Sequence, residues 1–408
     1  MKTLRNRLVL AATLSVSMLS AAEIFDFASG PTADHRARVF LSKRGIASTG
    51  QRAVKIDVGE LNRSSLVDFR LIDGRVRTAR LSKFEARGPN SFSWRGKLDD
   101  GGDALFTVHE GIVSAYIDSR AGIHQVVPIG GGGHALIRVN TDAFPPCTTK
   151  PDAAAAKFID GKMAADSRKN FSSPRAEEDP VVDVSIIYTN AAKEEAGGEK
   201  EIESQVQSMI DTVNLTFENS KVPVRVKLVS RYEVEYLDTE KDTQSSFLSS
   251  LRDDETVAAN RDKDKADLVA LIVSRGEGEE NGCGLAYLLS EKNQDNGVGG
   301  FSVTKLSCAI GNLTFAHELG HNFGAQHDPA NAGKPEDAFR PYTFGHFVNG
   351  KFRTLMAYSK ECADGCKRVP YLSSPEINYE GDQTGIAEER DNARLVRETG
   401  PILVKFRK

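Results

Sequence analysis

Long apolar runs are scarce in this 408-residue chain. The stretch from Leu8 to Leu19 is too short, and too interrupted by Ser and Thr, for a good membrane span. No other segment approaches it, so no membrane association is expected once the leader is gone. Nucleic-acid motifs are missing too. Residues 1–175 carry 26 Lys+Arg against 17 Asp+Glu, yet no aromatic–basic motif or zinc-finger spacing accompanies that excess, so no nucleic-acid partner is expected. Gly130 to Gly133 lacks the following Lys-Ser/Thr of a phosphate loop and reads as a plain turn. Cysteine is sparse: five residues, an odd count, with Cys147 apart from Cys283, Cys308, Cys362 and Cys366. Histidine is sparse as well, which gives weight to where it clusters.

Three of the eight histidines fall within His317-Glu318-Leu319-Gly320-His321-Asn322-Phe323-Gly324-Ala325-Gln326-His327, an ungapped match to H-E-x-x-H-x-x-G-x-x-H. On a helix, His317 and His321 share a face one turn apart and can point at one metal ion. Asn312 reads as the N-cap of that helix. Gly324 can adopt the left-handed conformation that ends it and turns the chain, so that His327 supplies a third ligand. Three neutral nitrogens with an open fourth position describe a catalytic Zn2+ site, while Ca2+ is left undetermined. Zinc so held brings the pKa of a coordinated water near 7, and Glu318 stands beside it as general base for attack on a peptide carbonyl. The expected function is a zinc endopeptidase acting on protein or peptide substrates. The alternative is a non-catalytic, zinc-containing protein-binding module, against which the retained Glu318 argues.

The rest of the chain divides around this motif. Lys2, Arg5 and Arg7, the apolar run, and Ser20-Ala21-Ala22 predict a signal peptide over 1–22 and a secreted product. Residues 23–147 read as mostly β, a sandwich or small barrel, from runs such as Arg38–Leu41, Ala53–Val58 and Leu66–Phe69. Residues 148–180 turn Ala-, Ser-, Lys- and Asp-rich and predict a linker with a maturation site, at Arg168, Lys169, Arg175 or the acidic run Glu177–Asp179. Residues 181–408 predict an α/β peptidase domain. It has a central strand at Leu268–Val273, a strand within Val222–Tyr236, an edge strand over Gly299–Cys308, and an amphipathic helix through Ile202, Val206, Met209, Ile210, Val213 and Phe217. A last helix is predicted over Glu388–Glu398. Residues 176–408 carry 27 Lys+Arg and 40 Asp+Glu, so a basic first unit is expected to dock on an acidic enzyme. Cys147 follows Pro145-Pro146, which hold the chain extended, and its thiolate is a good zinc ligand for the open position.

His317 to Asp328, reading HELGHNFGAQHD, is similar to reprolysins, the adamalysin group of the metzincin zinc metalloproteases. With Cys283-Gly284-Leu285-Ala286-Tyr287, Cys308 and Leu355-Met356-Ala357-Tyr358, the chain most resembles bacterial peptidyl-Asp metallopeptidases over residues 181 to 400. The resemblance implies a twisted mixed sheet, a zinc-binding helix and a Met-turn at Met356 beneath the histidines. It implies a zymogen whose propeptide inhibits it through Cys147 as a cysteine switch. Tyr358, two residues past Met356, departs from animal reprolysins and resembles the astacin and serralysin tyrosine that reaches zinc or the oxyanion. The cysteines permit three pairings; the resemblance favours disulfides Cys283–Cys308 and Cys362–Cys366. The segment Ser359–Ser374 would line the pocket after the scissile bond, and Arg368 is the candidate for pairing with a substrate Asp or Glu.

Overall fold

The computed structural model describes residues 21–27, 31–42, 47–145, 147, 179–236, 238–239, 242–274, 282–291, 293–294, 297–332, 338–362 and 365–407. Residues 1–20, most of the expected signal peptide, and the stretch 148–178, with Arg168, Lys169, Arg175, Glu177 and Glu178, lie outside them.

Ten strands build the first sheet: β1 (Ala22–Glu23), β2 (Phe25–Phe27), β3 (Ser48–Ile56), β4 (Leu66–Arg70), β5 (Val76–Gly88), β6 (Ser91–Leu98), β7 (Asp103–His109), β8 (Ile112–Ser119), β9 (Gly122–Pro128) and β10 (His134–Val139). Their order is β1-β4-β5-β6-β7-β8-β9-β10-β3-β2. The continuous segment 22–27 pairs with β4 through β1 and with β3 through β2, so one stretch of chain joins both ends of the meander. The sheet is thereby rolled into a barrel, which leaves few free edges. Phe25, Phe69, Trp94 and Phe106 pack inside it with ring centroids 5.3 to 6.0 Å apart. The run Arg38–Leu41, expected as a strand, lies instead in the helix Pro31–Ser42. Ala37 and Leu41 are buried there at helical spacing, and the Asp34 carboxylate accepts the Ala53 backbone N–H. A run as short as Arg-Val-Phe-Leu could not distinguish a strand from a helical face.

The second sheet contains β11 (Val181–Thr189), β12 (Arg225–Val234), β13 (Leu268–Val273), β14 (Gly284–Ala286) and β15 (Phe301–Lys305), in the order β12-β11-β13-β15-β14. All neighbours are parallel except β14, which runs antiparallel to β15. All six residues of β13 are buried at the centre, as an apolar strand covered on both faces should be. The expected edge strand within 299–308 is internal. Three residues of β14 form the edge, fixed by the Cys283–Cys308 disulfide and by Lys305 N–H donating to the Cys283 carbonyl. Beyond lie β16 (Phe347–Val348), β17 (Phe352–Arg353) and β18 (Lys367–Arg368) in one small sheet, and the β19 (Asn378–Tyr379), β20 (Asp382–Gln383) hairpin. Cys362 pairs with Cys366. The last helix is Asn392–Leu403, starting later than 388 because Asp391 caps it and residues 386–390 form a tight bridged turn. No helix among the described residues is long and apolar enough to cross a membrane.

The helix Glu199–Asn219 explains how the units meet. Its apolar stripe joins the core beneath the second sheet, as the periodicity predicted. Its polar side is also buried, because the barrel covers it. Asp211 accepts from Arg87 (2.5 Å) and Thr107 (2.8 Å), Glu218 pairs with Arg95 (2.6 Å), and His109 and Arg231 both meet Glu203 (3.0 and 2.7 Å). The barrel supplies most of the cations and the helix the carboxylates, consistent with the opposite charges of the two halves.

Candidate active site

His317, Glu318 and His321 sit on the helix Thr314–Asn322, all fully buried. The cap expected at Asn312 falls one residue later, on Leu313 at φ 54°, while the Asn312 amide donates to Thr314 Oγ1 (3.0 Å). Gly324, at φ 91°, reverses the chain after the helix, and His327 folds back onto the two helical histidines. The Nε2 atoms of His317 and His321 lie 3.2 and 3.1 Å from His327 Nε2. Each Nδ1 faces a backbone carbonyl instead: Leu355 (2.9 Å), Ala325 (2.7 Å) and Asn331 (3.3 Å) respectively. An Nδ1–H donated to a carbonyl leaves Nε2 with a bare lone pair. Burial, together with neighbouring positive groups, lowers the pKa of all three rings, His321 to about 4, so they are neutral. Three lone pairs converging at such distances repel unless a cation lies among them. Nitrogens bound about 2.0–2.1 Å from a tetrahedral zinc stand about 3.3 Å apart, so the donor set fits that ion.

The floor is built by the segment around Met356. Its side chain is buried under Gly320, where an added Cβ would stand 2.5 Å from Met356 Sδ. A side chain at 320 would therefore have to displace the buried methionine. Arg353 braces the turn by donating to the Ala357 and Cys366 carbonyls (2.9 and 3.1 Å). Asp328 links the turn to the third histidine. Its carboxylate accepts from Tyr358 N–H (3.0 Å) and from the Asn331 amide (2.9 and 3.1 Å), and Asn331 offers the carbonyl facing His327. Asn331 and the carbonyls of Ala325 and Leu355 were not legible as site components. Only a backbone direction sets them apart.

Cys147, buried and outside both disulfides, joins the histidines: its sulfur and the three ring nitrogens all lie within 4.8 Å of one another. Its thiol also reaches the carbonyl of Gly284 on the edge strand (3.3 Å), and the Tyr358 hydroxyl donates to the Cys147 carbonyl. Neither Glu318 oxygen has a hydrogen-bond partner of normal geometry. Burial pushes the Glu318 carboxyl up to about 8, with the nearby Cys147 thiol and Arg368 opposing it. Burial likewise raises the Tyr358 phenol. Arg368, on β18, is buried and donates to the Asn312 carbonyl (2.9 Å) at the start of the site helix, leaving its Nε unpartnered. Its charge is felt by Glu318, Tyr358, Cys147 and all three histidines.

Histidines with bare Nε2 lone pairs beside a buried carboxylate define a metallopeptidase centre. Residues 179–371 match the model of a family described as Metallo-peptidase family M12, Reprolysin_5. That part of the chain is similar to this reprolysin-like family, and the protein is a metalloendopeptidase. Over 386 residues the chain is 26% identical to a peptidyl-Asp metalloendopeptidase of Stenotrophomonas maltophilia, covering 87% of this chain and 86% of that one. A protein of the same name from Xanthomonas campestris is also 26% identical, with 88% and 87% covered. Among solved structures, metalloproteinase-II from Bacteroides fragilis aligns with a TM-score of 0.40 and 12% identity, over 82% of this chain and 91% of that one.

Proposed function

We infer that this chain is an exported zinc endopeptidase made as a zymogen. Residues 1–22 would be the signal peptide, 23–147 the propeptide, 148–180 the linker that is cut, and 181–408 the enzyme. The observation that carries the reading is the convergence of three Nε2 lone pairs beside the fully buried Glu318. His317, His321 and His327 would hold zinc, which when bound polarises the scissile carbonyl and acidifies water. Glu318 then takes the proton from the attacking water and returns it to the leaving nitrogen. The Cys147 sulfur lies within 4.8 Å of the three histidine nitrogens, which supports a thiolate lock on the precursor. The Tyr358 hydroxyl, now engaged by the Cys147 carbonyl, becomes free to donate to the substrate oxyanion once the first unit leaves. Arg368 is held with spare donor capacity near the metal cluster and would pair with an acidic side chain after the scissile bond. The relatives named for peptidyl-Asp cleavage support that preference.

Casein digestion by the zinc-loaded chain, before and after limited cleavage of the 148–178 stretch, tests the reading. Latency before cleavage, activity after it, and loss with a chelator that zinc reverses are expected. A cleaved, zinc-filled chain that digests nothing would leave only a binding module.

A further inference from the structure

Asp118 is an acidic side chain of the barrel buried entirely against the peptidase half. Its two oxygens take different donors. Lys367 Nζ reaches Oδ1 (2.9 Å), and the Tyr379 hydroxyl donates to Oδ2 (3.1 Å). Both donors come from the enzyme half, and Lys367 Nζ also lies 5.1 Å from the centre of the Tyr379 ring. That ring is fixed by Phe352 and Tyr371, at 5.0 and 5.2 Å between centroids. The pocket is thus a rigid aromatic wall with an ammonium and a phenol aimed at one carboxylate.

Departure of the barrel would take that carboxylate away and leave the donors in place. As an ion pair Lys367 would keep Glu380, 3.7 Å off and 41% exposed, a pairing of little strength in water. Position matters as much as chemistry. Lys367 and Arg368 are consecutive on β18, and successive strand residues face opposite sides. Arg368 reaches the Asn312 carbonyl at the start of the histidine-bearing helix, so Lys367 serves a second site, one residue along the same strand and outside the cleft. Strand β8 of the barrel crosses here, with the fully buried Tyr116 two residues before Asp118 and within electrostatic reach of Arg368.

We propose that Lys367 and Tyr379 form an exosite for an acidic side chain of a protein substrate, which Asp118 occupies in the intact chain. The exosite rests on the endopeptidase reading above and adds a second acid-recognising position to that of Arg368. A substrate segment beyond the residues bound in the cleft would place its carboxylate between the ammonium and the phenol.

An aspartate walk tests this on the zinc-loaded chain after limited trypsin cleavage within 148–178 and trypsin inhibition. Twenty-residue peptides carry one Asp after the scissile bond and a second Asp moved along the chain, each against its Asn counterpart. One remote position should raise kcat/KM about fivefold over Asn, the size expected of a partly exposed ion pair. Lys367→Met should flatten that peak, Lys367→Arg should keep it, and Tyr379→Phe should lower it. Arg368→Leu should instead erase the preference next to the scissile bond. No remote peak in the unmodified enzyme, or a peak that survives Lys367→Met, overturns the exosite and leaves the pocket to the barrel alone. Failure to cleave any peptide counts against the endopeptidase reading itself.

Discussion

Two buried histidines of the barrel give it a measurable weakness in acid. His124 is wholly buried on β9, with Nδ1 facing the Gly122 carbonyl (3.2 Å) and Nε2 unpartnered. His134, at the start of β10, uses Nε2 to accept the buried Val113 N–H (2.9 Å), a bond that protonation would destroy. Burial pushes both rings down to about 4; at His124 the Gly122 carbonyl opposes it and Arg138 adds to it. A depressed folded-state value means that the unfolded chain, titrating near 6.5, binds protons first. Stability is therefore whole above about pH 6.5 and falls as pH drops toward 4. At pH 4.5 each histidine should cost about 2.5 kcal/mol, or about 5 kcal/mol together. Glu85, which pairs with Arg225 across the interface, titrates lower: burial raises it, but Lys83, Arg95 and Arg225 prevail and hold it at about 2. The barrel should weaken before that contact does. Trp94 is the only tryptophan and lies in the barrel core, so its fluorescence reports this unit in urea titrations. Between pH 7.5 and 4.5 the midpoint should fall by about 2–3 M urea, for a slope near 2 kcal/mol/M. In the variant His124→Gln, His134→Gln most of that pH dependence should vanish, whatever its absolute stability. Equal pH slopes for the two proteins would refute the reasoning.

Cys147→Ser should give the intact chain at least about tenfold more activity, equivalent to about 1.4 kcal/mol of lost latching, in a fluorogenic peptide assay; unchanged latency would show that the thiol is not the lock. Gly320→Ala forces a Cβ to within 2.5 Å of Met356 Sδ and should cost about 1–3 kcal/mol, seen as a lower Tm and weaker zinc retention. An unaltered Tm and zinc affinity would remove the close approach from the account. Arg368→Leu should cut the Asp-over-Asn preference after the scissile bond by about 10–100-fold, the range for a hydrogen bond to a charged group; a peptide-library profile identical to that of the unmodified enzyme would exclude the residue.

What was legible in the sequence was local. The spacing of His317, Glu318, His321, Gly324 and His327 states a geometry that a single helix and turn can build, and the structure brings those residues together. Cys147 meets them across a gap of 170 positions, a juxtaposition that only its chemistry and the flanking prolines hinted at. Arg368 lies near the cluster, but its burial against Asn312 depends on how a two-residue strand registers beside Arg353. The misread pieces share a cause. Arg38–Leu41 lies in a helix that Asp34 anchors to the Ala53 backbone, and the sheet edge fell to β14 because pairing partners, not propensity, decide which strand is outermost. The polar stripe of Glu199–Asn219 is buried as well, and no pattern within that helix announces the barrel covering it. Asn331 and the carbonyls that orient the histidines escaped notice because backbone direction leaves no mark on residue type.

The most direct measurement is the metal content and peptide turnover of Glu318→Ala beside the unmodified chain, both cleaved within 148–178 and loaded with zinc. The account predicts one zinc per chain in each protein and a turnover lower by roughly 10²–10⁴ in the variant, the range for a lost general base. Normal turnover in Glu318→Ala, or a variant that no longer holds zinc, would contradict the division of labour between the three histidines and the glutamate.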